Sequence, residues 1–414
     1  MGTVDLTAID AIVKELYPDG VPQELALKKH TFLRMVEKKG GFTGDQMIVP
    51  MLYDFPGGRS ATLASLLNAS GPIGVSKHIK MSVTRIKDYA ATWLDAEMIK
   101  ATADDKGSFV RGRQYEIDNM LKSLGNSLGH AAYRSGSGSL GTIVSGETLS
   151  DTNFTFTLRS DAKHVRVGTQ LQFAQNEVTG SLRDNGDFVT VTAVDESTGT
   201  ITVDNQLDTT VAGIAAGDNV YYLGDRNLKM KGLAAWIPLT APAFGSDSFF
   251  GADRGVQPNR LAGVRLNAPN YPIEDLILEV GETINEQGGD PSVCFISHRR
   301  WITLAKRLNA KVEYDGSAAG GTMASFAGSF PVYLSSGMVR VYPDPDCPDN
   351  RGYVLTMDSW KLHHLGDLPE IVRDDGLSAL RKSGEDAIEI RARYYAQLVC
   401  YAPGHNGVFA LPSS

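Results

Sequence analysis

The sequence predicts an α+β chain built from several distinct parts, and three observations carry that prediction. A two-stranded β excursion with a long Gly- and Ser-rich loop at its tip follows the N-terminal segment. A one-sided helix of about twenty-five residues comes next. Between 145 and 226 the chain then turns to short alternating strands, before mixed helix and strand resume.

Taken in order, residues 1–42 read as an arm with short helical pieces. Leu6, Ile9, Ile12, Val13 and Leu16 fall at helical spacing until Tyr17-Pro18-Asp19-Gly20, and a second piece spans Gln23 to Lys38. The excursion covers 43–88. Gln46 to Tyr53 is its outgoing strand, and the return strand alternates Ile79, Met81 and Val83 with His78, Lys80, Ser82 and Thr84. An isolated hairpin this long is marginal alone, so it is expected to lie against a neighbouring copy. Thr92 to Ala103 reads as a short helix. The longer one runs from Ser108 to Tyr133, with Ile117, Leu121, Leu124, Leu128 and Ala131 as its stripe, and Ser135-Gly136-Ser137-Gly138-Ser139 reads as a flexible link.

The segment 145–226 holds strands around Phe154–Leu158, Gln170–Phe173, Phe188–Val194 and Thr200–Val203, separated by turns such as Asp184-Asn185-Gly186-Asp187. It is expected to be an inserted small barrel or sandwich. Beyond it, Pro272 opens a helix with Ile273, Leu276, Ile277, Val280 and Ile284 on one face. Val293 to Ile296 is a strand, and Ser297 caps a basic helix from His298 to Leu308. Strands dominate the end, the last running from Ala387 to Tyr401.

Composition narrows the function. With 40 basic and 48 acidic residues the formal charge is −8, so a concentrated nucleic-acid-binding face is not expected. No apolar run approaches the ~20 residues that cross a bilayer, and no secretory signal is visible. The three cysteines form no CxxC pair. Cys294 and Cys400 sit in apolar runs, which predicts buried free thiols and assembly in a reducing cytoplasm. Chemistry is equally bare: no GxSxG elbow, no Walker-type or dinucleotide glycine pattern. His363 and His364 on one strand point to opposite faces, and Asp344-Pro345-Asp346-Cys347-Pro348-Asp349 lacks the trailing glutamate of a calcium loop, reading as a solvated turn. No catalytic residue, cofactor or metal site is predicted.

The order of parts resembles the Hong Kong 97-type fold of tailed-bacteriophage major capsid proteins. So does local wording: Pro56-Gly57-Gly58-Arg59-Ser60-Ala61-Thr62, then Ser246-Asp247-Ser248-Phe249-Phe250-Gly251 with Asp253-Arg254. Arg260-Leu261-Ala262-Gly263-Val264 and the ending Gly384-Glu385-Asp386-Ala387, Tyr394-Tyr395-Ala396-Gln397-Leu398 and Ala402-Pro403-Gly404 are similar too. The resemblance covers all but 145–226. It implies an N-terminal arm (1–42), an E-loop (43–88) and a peripheral domain with the spine helix (89–144). After the insert come a connection (227–264), an axial domain (265–375) and closing peripheral strands (376–414).

It also implies a shell of hexamers and pentamers around double-stranded DNA, in a virion assembled in the bacterial cytoplasm. Its expected partners are further copies of the chain, non-specifically packaged DNA, a portal protein and a separate scaffolding protein, with a decoration protein left open and no membrane. On the E-loop, Arg59, Leu63, Leu66, Leu67, Ile73 and Lys80 are the expected inter-subunit contacts. Some members of the fold cross-link an E-loop lysine to a neighbour's asparagine. The tip Gly57–Gly74 has no lysine, and Lys77 and Lys80 lie down the return strand, so a non-covalent shell is expected. Arg299, Arg300, Lys306 and Arg307 are candidates for an inter-subunit or DNA-facing charge patch, although a solvated, salt-bridged face explains them more simply. The rival readings are an encapsulin-like nanocompartment shell and, from another class, a carbohydrate-binding or hydrolytic β-rich surface protein.

Overall fold

A computed structural model of the chain describes residues 27, 29–55, 60–68, 75–95, 106–309, 330–373, 380–381 and 386–412. Helix α1 (Thr31–Met35) stops sooner than its sequence suggests. Val36 is extended and Glu37–Lys39 form strand β1, because an edge position of a sheet takes up backbone groups that helix-tolerant residues would otherwise bond locally. The hairpin follows as β2 (Gln46–Asp54) and β3 (Lys77–Thr84), paired from Gln46↔Thr84 to Leu52↔His78, with helix α2 (Leu63–Asn68) in the tip.

Strand β4 (Ile86–Asp95) corrects the helix expected from Thr92. Residues 92–95 pair with the C-terminal spine strand, in a ladder that runs from Ile86↔Ala396 to Asp95↔Ala387, and tertiary pairing overrides a weak helical pattern. The rest of that expected helix, 96–103, lies outside the described residues. Helix α3 (Lys106–Tyr133) has 28 residues, about 42 Å at 1.5 Å each. Its predicted stripe from Ile117 to Ala131 is buried throughout.

The link after α3 is not flexible. Gly136 and Gly138 adopt φ of +88° and +80°, and a Cβ on Gly138 would sit 2.4 Å from the Asp225 carbonyl oxygen. The Ser135 and Ser137 hydroxyls both donate to Glu177, and Asn227 N–H donates to the Ser137 carbonyl at 2.7 Å. The chain enters the barrel directly: β5 (Ser139–Thr142), β6 (Asn153–Thr155), β7 (Gln170–Ala174), β8 (Val189–Asp195), β9 (Thr200–Val203) and β10 (Asn219–Tyr222). Their order is β5-β10-β7-β8-β9-β6. The Ile143↔Phe156 bridge joins the two ends, with Val144 N–H donating to Thr155 and Thr157 N–H to Thr142, so the sheet closes on itself. The β-domain is therefore a closed six-stranded barrel that begins at Ser139 and not at 145. Phe154, Phe173, Leu171, Val191 and Val220 fill it, with Phe154 edge-on to Phe173 at 5.8 Å.

Later elements are α4 (Pro258–Ala262), β11 (Val264–Leu266), α5 (Ile273–Glu286), β12 (Val293–Ile296), α6 (His298–Asn309), β13 (Phe330–Tyr333), β14 (Met338–Pro343) and β15 (Arg351–Leu355). They are followed by β16 (Trp360–Ile371), β17 (Leu380–Arg381), β18 (Ala387–Cys400) and β19 (Gly407–Ala410).

The chain divides into two compact units. The first comprises Met1–Phe42, Arg85–Gly232 and Leu362–Leu398, and holds the sheet β1-β16-β18-β17 with β4 beside β18, helix α3, and the barrel. Its centre is polar: Asp88 accepts from Ser127 at 2.6 Å, from Lys229 at 3.0 Å and from Tyr394 at 3.0 Å, tying β4, α3, β18 and the chain beyond the barrel together.

The second unit comprises Thr43–Thr84, Leu233–Lys361 and Val399–Ser414. It contains the hairpin and a mixed six-stranded sheet ordered β11-β19-β15-β12-β14-β13, on which α5 lays Ile273, Leu276, Ile277, Val280 and Ile284. The Ser297 hydroxyl caps α6 by accepting from Arg300 N–H at 3.4 Å. Two polar brackets organise the remainder. Buried Arg254 forms an ion pair with Asp247, donates to the Ala235 carbonyl and covers the Phe249 ring at 3.9 Å. Fully buried Asn406 accepts from Trp360 Nε1 at 2.8 Å and from Thr356 N–H, and donates to the Ala402 carbonyl.

Candidate assembly surface

Alternation in the hairpin produces two different faces. Val49 and Met51 on β2, with Met81 and Val83 on β3, are buried. That burial is achieved within the chain itself, and Ser82 N–H donates to the Phe250 carbonyl at 2.9 Å beside it. The expectation that the hairpin depends on a neighbouring copy for its stability is corrected for this face, because the surrounding unit supplies the cover.

The other face is apolar on its β2 side, at Ile48 and Leu52, and polar on its β3 side, at His78, Lys80 and Ser82. Ile48, Leu52, Phe55, Leu63, Leu67 and Val75 are between 42% and 76% exposed. Leu66 is half-buried and Lys80 exposed, while Arg59 and Ile73 lie outside the described residues. Thr62 holds the short tip helix, its hydroxyl accepting from Ser65 N–H at 3.2 Å. The Lys77–Asp54 pair at 3.2 Å is exposed on both sides and adds little stability. Apolar side chains exposed together on one hairpin make it a candidate interaction surface, whereas scattered ones would not. Burying Leu63 and Leu67 on association would contribute about 1–2 kcal/mol each. The exposure of Ile48, Leu52, Phe55 and Val75 adds four apolar side chains to those expected on the hairpin. Their signal was available: β2 carries apolar residues at consecutive positions, as a strand covered on both faces does.

The basic helix does not present four charges. Arg300 is turned inward, its Nε donating to the Asp349 carbonyl at 2.9 Å and a terminal nitrogen to the Pro412 carbonyl. It holds two loops together and is removed from the proposed patch. Arg299, Lys306 and Arg307 are exposed, the last 4.0 Å from Glu274. The aspartate-rich loop is likewise not a solvated turn. Asp344, Asp346 and Asp349 are buried, and Asp344 accepts from Asp346 N–H at 2.9 Å, so these carboxylates shape the chain's course. The three cysteines are buried and form no disulfide, and burial drives the Cys400 thiol up to about 12, far from a reactive thiolate.

No protein-family profile and no curated protein sequence matches this chain. Solved structures do. The chain is similar to a subunit of the cyanophage A-1(L) capsid, with a TM-score of 0.50 at 12% identity and 96% of each chain covered. More distant likenesses include the capsid of cyanophage P-SCSP1u, with a TM-score of 0.44 at 9% identity over 93% of this chain and 89% of that one. The procapsid of satellite phage P4 gives 0.40 at 8% identity over 99% and 98%. At such identities a likeness speaks for the fold, and the first of the three carries it. The chain has the fold of a phage capsid subunit. Within that class it is the α+β Hong Kong 97-type arrangement, with a closed β-barrel following the long helix.

Proposed function

We propose that the chain is a major capsid protein that self-assembles, without covalent cross-links, into the hexamers and pentamers of an icosahedral head enclosing double-stranded DNA. The observation that carries this reading is a capsid-subunit fold matched over 96% of both chains, together with a hairpin that leaves Ile48, Leu52, Leu63 and Leu67 exposed. Head-to-tail contacts between identical subunits close into rings, and a limb that reaches beyond its own unit can bury apolar area on the next copy. Arg299, Lys306 and Arg307 are proposed as charges at subunit contacts or toward the packaged DNA. A net charge of −8 suits a container wall better than a DNA-gripping surface. A separate scaffolding protein, a portal protein and, in some particles, a decoration protein complete the proposed set of partners.

Sedimentation velocity and negative-stain microscopy of the purified full-length chain test the reading. Rings of five or six copies, or closed shells, are the expected species. A lone monomer at every concentration up to the millimolar range would overturn it.

A further inference from the structure

Helix α3 and the barrel, both within the first unit, line a half-open cavity of about 230 Å³. A single water needs only ~10–15 Å³ of such space, so the cavity has room for a molecule of several heavy atoms. His130 of α3 and Arg134 just beyond its end line it together with Leu140, His164, Arg166 and Tyr222 of the barrel domain. The His130 and His164 rings lie 4.2 Å apart between centroids at 51°. His130 is buried and its Nε2 has no hydrogen-bond partner, although the ring also bonds the Leu140 backbone. Arg134 pairs with Asp161 at 2.5 Å yet leaves Nε buried and unpartnered. An acceptor and a donor on two residues of the cavity wall are thus left buried and unsatisfied, which is costly.

The charges around the space are unevenly balanced. Lys229 on the wall is matched by Asp88 and Asp225, and Arg134 by Asp161. Lys163 stands close to both histidines. Arg166, exposed at the rim, pairs with no carboxylate among the described residues. The unmatched positive charge therefore sits at the mouth, with the tilted pair of imidazoles, Leu140 and the Tyr222 ring also on the wall.

We propose that this cavity binds a small organic oxyanion, a carboxylate or phosphate monoester on a flat apolar body, with its charge at Arg166 and its body against Leu140 and the histidine pair. No covalent step is involved. Burial first, and then the neighbouring cations, hold both histidines well below their ordinary range, so each ring is neutral at pH 7. A bound anion offsets those cations, which makes protonation easier and binding tighter as pH falls.

Thermal-shift titration of the full-length chain with phenyl phosphate, inorganic phosphate and phenol tests the site. Phenyl phosphate should raise the melting temperature saturably, and at lower concentration at pH 6 than at pH 7.5. Inorganic phosphate and phenol should each act more weakly. Arg166→Ala, an exposed substitution that leaves the urea midpoint unchanged, should weaken phenyl phosphate at least about tenfold, the loss of one charge-assisted contact. No saturable response, or an equal response in Arg166→Ala, overturns the site. Inorganic phosphate matching phenyl phosphate overturns the organic body.

Discussion

Replacing Asp88 by alanine removes the acceptor on which three donors of the first unit converge. Ser127 from α3, Tyr394 from β18 and Lys229 beyond the barrel all bond the same carboxylate oxygen. The Asp88 and Lys229 side chains are only 12% and 14% exposed, so water replaces little of what is lost. Hydrogen bonds to a charged partner contribute about 1.5–3 kcal/mol each, and breaking a buried ion pair costs about 3–5 kcal/mol. Lys229 keeps Asp225 at 3.0 Å, which places the expected loss at the lower end, about 3 kcal/mol. Burial opposes charge on Lys229, but the two aspartates outweigh it and hold the ammonium protonated. Burial, reinforced by Asp88, keeps Tyr394 well above its ordinary range and therefore a donor. In a unit of this size the loss corresponds to a fall of about 6–12 °C in melting temperature. Differential scanning calorimetry of the unassembled chain, following the transition of the first unit, measures it. Lys229→Met and the double variant complete a cycle with an expected coupling of about 1–3 kcal/mol. An Asp88→Ala protein within 0.5 kcal/mol of the parent, or strictly additive variants, would refute the idea that this cluster locks strand, helix and barrel exit together.

Acid should weaken the same unit through His130 and His164. Their folded values lie below the ordinary histidine range, so the stability tied to the neutral rings is intact above about pH 6.5 and is lost as pH falls toward the folded values. The limiting slope is about 1.4 kcal/mol per pH unit for each ring. Urea midpoints between pH 7.5 and 5 should drop in the parent and flatten in His130→Phe. Gly138→Ala should cost about 2–3 kcal/mol, because its φ of +80° disfavours a side chain and the new Cβ meets the Asp225 carbonyl oxygen at 2.4 Å; chemical denaturation reads the loss. Leu63→Asp with Leu67→Asp should leave the melting temperature within about 1 °C of the parent, since both side chains are exposed, yet abolish particles in a sucrose gradient.

Much of the fold was legible because its long elements have strong periods. The α3 stripe, the α5 face after Pro272 and the strand Val293–Ile296 each bury an uninterrupted apolar set. Misreadings fell where distant pairing decided the outcome. Thr92–Asp95 are strand only because β18 lies beside them, and Glu37–Lys39 only because a sheet edge accepts them. Ser135–Ser139 carries the composition of a linker, but Glu177, Asp225 and Asn227 fix it from far along the sequence. The first and last barrel strands escaped for the same reason, Ser139–Thr142 being short and Gly-containing, and Asn219–Tyr222 following a turn-rich stretch. At the surface, sequence located the limb but not which face the chain covers itself. Arg300 shows the limit most clearly: a charge on a basic helix looks solvent-facing until the carbonyls of Asp349 and Pro412 are brought to it by the fold.

The most direct measurement is a cryo-EM reconstruction of particles formed by this chain. The account predicts a closed icosahedral shell in which Ile48, Leu52, Leu63 and Leu67 of each copy are covered by the next subunit. Particles whose subunits leave that hairpin face in solvent, or a chain that forms no closed shell with or without a scaffolding partner, would contradict it.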